Sequence, residues 1–333
     1  MSRPTLSLVI PIYNEELVIP ELDRRLKAVL ASWSDLVESW EVVFINDGSK
    51  DDSLNQLRKM VEAEPRYKVL SFARNFGHQM AITAGMDRAE GDAVVVMDAD
   101  LQDPPEVVRE MITLWRQGYD VVYGVRRKRA GETLFKKLTA AAFYRLLRAM
   151  LGGISIPVDA GDFRLLSRPV VMAMRALKER HRFVRGMVAW VGFRQTAAYY
   201  DREARFAGET KYPLSKMLRF AIDGITSFST VPLRFATWLG VLAGLSAVVI
   251  ALWAIYIKLF VTGVVQGWTT IMILVALGTS AQLLMIGVLG EYVGRIYEEV
   301  KRRPLYLIGE ELNMAQPGTP ATRPPGTASS AEI

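Results

Sequence analysis

The sequence predicts an α/β protein, a domain built on a mainly parallel sheet followed by a C-terminal two-helix transmembrane hairpin. Three observations carry this. Short β-rich apolar runs alternate with helical patterns from the first residues onward, as in sheets covered on both faces. Phe235–Ile257 and Trp268–Gly290 are uncharged runs of 23 residues each. As helices rising 1.5 Å per residue, each would reach roughly 34 Å, enough for a hydrocarbon core of about 30 Å. Half of the 333 residues are apolar and mean hydropathy is +0.16, whereas a disordered chain would be poor in apolar residues.

The strands are expected at Leu6–Pro11, Glu41–Asn46, Lys68–Phe72, Ala93–Met97 and Asp120–Gly124. Each is a near-continuous apolar run, the pattern of a strand buried on both faces. Helices are expected between them, at Glu16–Ser32, Asp52–Glu64, Gln79–Arg88 and Pro105–Gln117. In such sheets ligands bind beyond the carboxyl ends of the strands, and here every strand end runs into polar residues. Six segments follow: a catalytic-type domain over 1–200, a basic juxtamembrane segment over 201–232, spans at 233–260 and 267–294, a cytosolic segment over 295–313 and a disordered tail over 314–333.

Flanking charge orients the hairpin. Arg234 precedes the first span, Arg295, Lys301, Arg302 and Arg303 follow the second, and Leu259–Gly267 carries no charge. The positive-inside rule puts both flanks in the cytoplasm. The N-terminus lacks the pattern of a secretory signal, so the domain and both termini are expected to be cytosolic. Between 202 and 222, Arg202, Arg205, Lys211, Lys216 and Arg219 interleave with Phe206, Tyr212, Leu214, Met217, Leu218, Phe220 and Ile222, as in a segment lying in the headgroup layer.

Composition narrows the chemistry. The chain has no cysteine, which removes disulfides, thiolate zinc sites and thiol nucleophiles, and only two histidines. There is no GxGxxG after the first strand and no GxxxxGK[ST] anywhere, against a dinucleotide-binding dehydrogenase or a P-loop NTPase. The net charge of +6 matters through its location, at the spans.

The sharpest feature is Asp98-Ala99-Asp100-Leu101-Gln102-Asp103, directly after the Val/Met strand. Residues i and i+2 of an extended segment project to one side, so two carboxylates converge there. Such a pair is costly unless neutralised. A hard divalent cation, Mg²⁺ or Mn²⁺, would neutralise it, sharing its remaining positions with water and phosphate. Gln102 stands within reach of the same centre. A solvated acidic turn is the plain alternative.

Pro11-x-Tyr13-Asn14-Glu15, Asn46-Asp47-Gly48-Ser49, Asp98 to Pro104 and the closing hairpin, in this order, resemble a GT-A-fold family 2 glycosyltransferase. The branch they resemble is the polyprenyl-phosphate glycosyltransferases, which include dolichol-phosphate mannose synthases and bacterial undecaprenyl-phosphate glucosyltransferases. The resemblance covers about residues 5 to 305. It implies that Pro11, Tyr13, Glu15 and Asp47 line the nucleotide base and ribose, with Asp98 and Ala99 beside them. Asp98, Asp100 and Gln102 would hold the metal against the diphosphate. Asp159-Ala160-Gly161-Asp162-Phe163-Arg164 is similar to the family's second acidic motif near the acceptor, with Asp162 favoured over Asp159 as the catalytic carboxylate and Arg164 at a phosphate. Arg205, Lys211 and Tyr212 look like the juxtamembrane phosphate-binding motif. The implied reaction is inverting transfer from a nucleotide sugar, UDP-glucose first, to undecaprenyl phosphate at a bacterial cytoplasmic membrane. The product would be a β-linked lipid sugar for cell-envelope glycans, and relatives imply a homotetramer. No nucleic-acid partner is expected.

Other residues have plainer readings. His78 is as readily a structural hydrogen-bonding residue as a donor-phosphate contact. Arg126, Arg127, Lys128 and Arg129 are either a loop closing over the site or a solvated charge run, and Trp190 and Phe193 read as core or interface. Two other functions compete: a nucleotidyltransferase on a similar sheet, which would release pyrophosphate rather than nucleoside diphosphate, and a non-catalytic membrane scaffold or lipid-translocation helper.

Overall fold

The computed structural model describes residues 4–127, 160–203, 229–260 and 267–314. Asp159, Arg205, Lys211, Tyr212, the run 128–129, most of the juxtamembrane segment and the tail after Met314 lie outside these residues. The N-terminal half alternates strictly: β1 (Thr5–Ile12), α1 (Ile19–Ala31), β2 (Ser39–Asn46), α2 (Ser53–Ala63), β3 (Tyr67–Phe72), α3 (His78–Arg88) and β4 (Ala93–Val96). A single 3₁₀ turn at Pro105–Val107 leads into α4 (Val108–Arg116), then β5 (Val121–Arg126). Beyond the undescribed stretch come β6 (Ala160–Ser167), α5 (Arg168–Ala176), α6 (Val184–Trp190) and β7 (Gln195–Tyr200). Two long helices, α7 (Val231–Phe260) and α8 (Trp268–Val300), precede a last strand, β8 (Ile308–Leu312).

One eight-stranded sheet runs in the order β7-β5-β6-β4-β1-β2-β3-β8. Its centre, β4-β1-β2-β3, is parallel as expected. Alternate residues of each strand feed opposite faces. Leu8, Ile10, Ile12, Phe44 and Val95 pack with Leu22 and Leu26 of α1 on one side. Val9, Val43, Ile45 and Val96 pack with Ile82 of α3 and Val170 of α5 on the other. Each such fully buried side chain contributes roughly 1.5–3 kcal/mol. Helix α1 starts three residues later than expected, at Ile19, with a proline in its first turn, because residues 14–16 are hydrogen-bonded to the 49–53 loop instead.

Three strands were not legible as strands: β6, β8 and β7, which pairs parallel with β5 at the other edge. β6 runs antiparallel to both β4 and β5, wedged between them. β8 returns after the second apolar helix and pairs antiparallel with β3, covering what would be an open edge. Arg58 to Glu310 at 2.6 Å and Arg88 to Glu311 at 2.7 Å pin β8 laterally. Tyr306 stacks on Phe72 with ring centroids 5.0 Å apart just before it. Past the second apolar run, α8 continues to Val300 and β8 joins the sheet.

Helices α7 and α8 pack against each other and are long and apolar enough to cross a membrane. Their apolar side chains, such as Trp238, Leu245, Leu252, Leu277 and Leu289, are exposed on the molecule, the reverse of the soluble core.

Candidate active site

The carboxyl ends of β1, β2 and β4 lie side by side, and their loops are laced together by short polar residues. Asn14, in the left-handed region at φ 54°, accepts from Lys50 N at 2.9 Å through its side chain, while its own N–H donates to Ser49 Oγ at 3.0 Å. Glu15 N donates to Ser53 Oγ at 2.9 Å, and Glu16 N to Asp51 at 3.1 Å. A cleft of about 400 Å³ opens between these loops, lined by Asn14, Glu15, Glu16, Lys50 and Asp51 among others. Of the expected nucleotide-binding residues, Tyr13 is exposed at this rim and Pro11 is buried in β1.

Asp47 is placed differently from a simple base-contacting residue. It is 3% exposed, and its carboxylate accepts from Phe76 N at 2.6 Å and Gly77 N at 3.0 Å. Burial pushes its pKa up against those two hydrogen bonds. Asp47 thus orders the β3–α3 loop and presents His78. Gly48 permits this: at φ +66° a Cβ would lie 2.4 Å from the Arg74 carbonyl carbon, so any side chain would push the two loops apart.

Past β4 the chain turns sharply at Leu101, held at φ 58°, a conformation that costs a non-glycine residue roughly 1–2 kcal/mol. Strain of this kind concentrates at functional sites. The turn lets Asp100 Oδ1 accept from Gln102 N at 3.1 Å. The Gln102 side-chain oxygen is engaged by the Arg202 guanidinium rather than turned toward the two aspartates. Asp103 is buried, accepting from the Tyr200 hydroxyl with Arg126 at 3.7 Å.

Asp98 carries the decisive signal. Its Oδ1 is buried and has no hydrogen-bond partner. Burial raises its pKa to about 6, with Asp162, Asp103 and Asp100 adding to the rise and His78 opposing it. A buried carboxylate oxygen that accepts no hydrogen bond is expensive, and a hard cation would complement it. Among the described residues no three carboxylate or imidazole side chains form a ready metal cage. A cation here would therefore draw part of its shell from water or a bound phosphate.

Facing Asp98 is Asp162. The antiparallel register sets Val96 opposite Arg164, and continuing it by two residues sets Asp98 opposite Asp162. His78 Nε2 spans the gap, 3.4 Å from Asp98 Oδ1 and 3.3 Å from Asp162 Oδ2. Asp162 is 5% exposed and richly partnered. Arg185 Nε donates to Oδ1 at 2.9 Å and Gln79 Nε2 to Oδ2 at 3.2 Å. Burial would raise its pKa, but the His78 hydrogen bond and the charges of Arg185 and Arg164 hold it well below the usual carboxylate range. Asp162 is a fixed anion, not a poised base. His78, conversely, is raised: burial opposes its charge, and Asp162 and Asp98 more than restore it.

Arg164, expected at a phosphate, points inward. It is 3% exposed, donates to the Gly161 carbonyl at 2.7 Å and lies 3.8 Å from Asp162. Burial lowers its pKa to about 10 despite Asp162. Its position supports Asp162 from beneath. Trp190 and Phe193 are exposed rather than core. Gln79 and Arg185 escaped the sequence reading altogether. Gln79 adjoins His78 at the start of a helix and offered a weak signal, but Arg185 sits in an arginine-rich stretch with no spacing to mark it.

A family model described as glycosyl transferase family 2 matches residues 7–175, from β1 to the end of α5 and thus across both acidic motifs. The chain belongs to this family. Among its relatives, glycosyltransferase YkcC of Bacillus subtilis is 54% identical over 91% of this chain and 92% of its own. A prophage bactoprenol glucosyl transferase homolog of Escherichia coli is 39% identical over 91% and 98%. The SfII prophage-derived bactoprenol glucosyl transferase of Shigella flexneri is 40% identical over 91% and 97%. These alignments span nearly the whole glycosyltransferase chain, well beyond the 169 residues, 7 to 175, that the family model covers. A solved glucosyl-3-phosphoglycerate synthase from Mycobacterium tuberculosis aligns over 67% of this chain and 76% of its own, at 19% identity and a TM-score of 0.49.

Proposed function

We propose that this glycosyltransferase moves a sugar from a nucleotide sugar, UDP-glucose first among candidates, to the phosphate of a membrane polyprenol such as undecaprenyl phosphate. The observation that carries the reading is the pair of unlike carboxylates on either side of His78, Asp98 with a buried oxygen that accepts no hydrogen bond and Asp162 fixed by Arg185, on a domain joined to two long apolar helices. Bactoprenol glucosyl transferases aligned along nearly their full length support the acceptor.

The donor's base and ribose would lie at the β1 and β2 ends, against Tyr13, Glu15 and the loop that Asp47 orders. Asp98 and Asp100 would hold Mg²⁺ or Mn²⁺, with Gln102 joining only on release from Arg202. A bound cation there supplies charge stabilisation to the departing nucleoside diphosphate, greater in the transition state than before it. Asp162 would fix the acceptor side by charge and hydrogen bonding, with Asp159 outside the described residues. A phosphate monoester, second pKa about 6, is already ionised near neutrality, so no base is required. This suits a carboxylate held too acidic to accept a proton. Arg205, Lys211 and Tyr212 are proposed to meet the phosphates at the membrane face. Direct displacement inverts the anomeric carbon, giving a β-linked product from an α-linked donor.

The test incubates membranes carrying the protein with undecaprenyl phosphate, Mg²⁺ and a panel of labelled nucleotide sugars. Label in the organic phase with release of nucleoside diphosphate is expected. Pyrophosphate release would indicate nucleotidyl transfer instead, and no lipid-linked label with any donor would sink the reading.

A further inference from the structure

The partners of Asp162 lead away from His78 and Asp98 to the far end of the second apolar helix. Arg185 and Val184 open α6. Val184 N donates to Gln79 Oε1 at 2.9 Å, and the other end of the same amide donates to Asp162. One glutamine thus measures the distance from the α6 start to the carboxylate. Immediately upstream, Arg182 is 8% exposed and folds back on the Leu177 and Glu179 carbonyls, stiffening the turn. Two residues earlier, Arg180 seizes the end of α8. Its N–H donates to Glu299 at 2.6 Å, its Nη1 to the Arg303 carbonyl at 2.6 Å, and its Nε lies 3.4 Å from Glu298.

We propose that the segment from Arg180 to Arg185 is a positioning element that sets Asp162 in register with the end of the second apolar helix. The proposal rests on the reading of Asp162 as the acceptor-side carboxylate. The connection is not needed for attachment, because β8 and Tyr306 already bind the returning chain to the sheet. What Arg180 adds is a second fixed point close to the site. A lipid phosphate is delivered by the membrane, whereas the donor is held by the domain. The two reacting atoms meet only if helix and carboxylate share a frame, and a misplacement of about 1 Å can cost up to ~100-fold in rate. Arg185 and Arg180 are positioning residues here, acting through Asp162.

The experiment compares wild type with Arg180→Glu, which sets a third negative charge beside Glu298 and Glu299, in full-length protein in lipid. The expected result is a tenfold or greater fall in kcat, a donor KM within twofold of wild type, and recovery to within threefold of wild type in Arg180→Glu with Glu298→Arg. The same kcat deficit is expected with a short, water-soluble prenyl phosphate. Unchanged kcat would overturn the proposal. So would a deficit confined to KM for the long lipid and absent with the short acceptor, since the contact would then only dock the domain. Should Arg180→Glu fail to fold, Arg180→Lys is expected to lose about threefold in kcat with unchanged thermal unfolding, and no loss would overturn the proposal. If wild type makes no lipid-linked product, the acceptor reading fails separately. The coupling is then read without turnover, from thermal unfolding of Arg180→Glu, Asp162→Asn and the double variant: non-additive losses are expected, and strict additivity refutes the inference.

Discussion

The end of β4 and the start of β6 each bring an aspartate to His78, and their surroundings treat the two in opposite ways. Asp98 has a buried oxygen without a hydrogen-bond partner and a pKa raised to about 6. Asp162 receives hydrogen bonds from Gln79 and Arg185, has Arg164 nearby, and is held as an anion. The first is under-satisfied and built to be completed from outside. The second is satisfied from within and built to stay put. The difference teaches that charge at an active site is of two kinds: one part is left open for a ligand, and another is fixed in advance so that nothing rearranges during reaction. His78, touching both, marks the boundary between them.

The sharpest way to break this contrast is to remove the open side. Asp100→Ala is expected to cost at least about 100-fold in sugar transfer with little change in thermal unfolding, and EDTA added to wild type should do the same reversibly. Asp100→Ala with near-normal turnover would end the assignment of this side to donor and cation.

The fixed side is expected to reveal itself in stability. Asp162→Asn leaves Arg164 and Arg185 without their shared anion, and breaking a buried pair costs about 3–5 kcal/mol. The sign follows from the lowered pKa. Stability from the carboxylate is present above its unfolded value near 4 and lost as pH falls below it. The gap between wild type and Asp162→Asn in detergent should therefore be full at pH 7 and shrink toward pH 3. A pH-independent gap would contradict a fixed anion.

Asp98 should behave inversely. A raised carboxyl pKa favours the folded state fully only below pH 4, and the benefit is lost as pH rises through about 6. Asp98→Asn is expected to stabilise the unliganded protein by about 1 kcal/mol at pH 8, with the gain disappearing by pH 4. That figure is well under the ~3 kcal/mol of two full pKa units, because the side chain is 35% exposed and screened by solvent. Loss of activity with gain of stability would sharpen the distinction, and destabilisation at pH 8 would undo it. The smallest effect is expected farthest from the cleft: Tyr306→Leu, removing the stack on Phe72, should cost about 1 kcal/mol and expose the β8 strand to proteolysis with little change in donor KM.

Much of this was legible in the chain itself. The parallel core β4-β1-β2-β3 follows the apolar runs because strands buried on both faces need continuous hydrophobicity. Asp98 and Asp100 were expected to converge as i and i+2 of an extended segment, but β4 ends at Val96 and residues 99–100 form a turn, which no local apolar pattern announces. Asp47 was singled out for the nucleotide, and nothing local says that its carboxylate also accepts from Phe76 and Gly77 of the next loop. Arg164 was given to a phosphate because an arginine beside an acidic motif looks the same in sequence whether it faces in or out. β8 escaped because Ile308-Gly309-Glu310-Glu311-Leu312 is a weak strand on its own and is stabilised by the edge it covers.

The sequence by itself determined the elements whose causes lie within a few residues: the strand and helix periodicities of the parallel core and the two apolar runs of membrane length. Only the tertiary structure decided what depends on pairing between distant segments. The antiparallel register of β6 against β4 brings Asp162 across from Asp98, and the α6 turn brings Arg185 to it from 23 residues along the chain. Local pattern encodes which way a side chain faces along its own element. Which carboxylate is left open and which is neutralised is set by neighbours that the sheet, not the sequence spacing, puts in place.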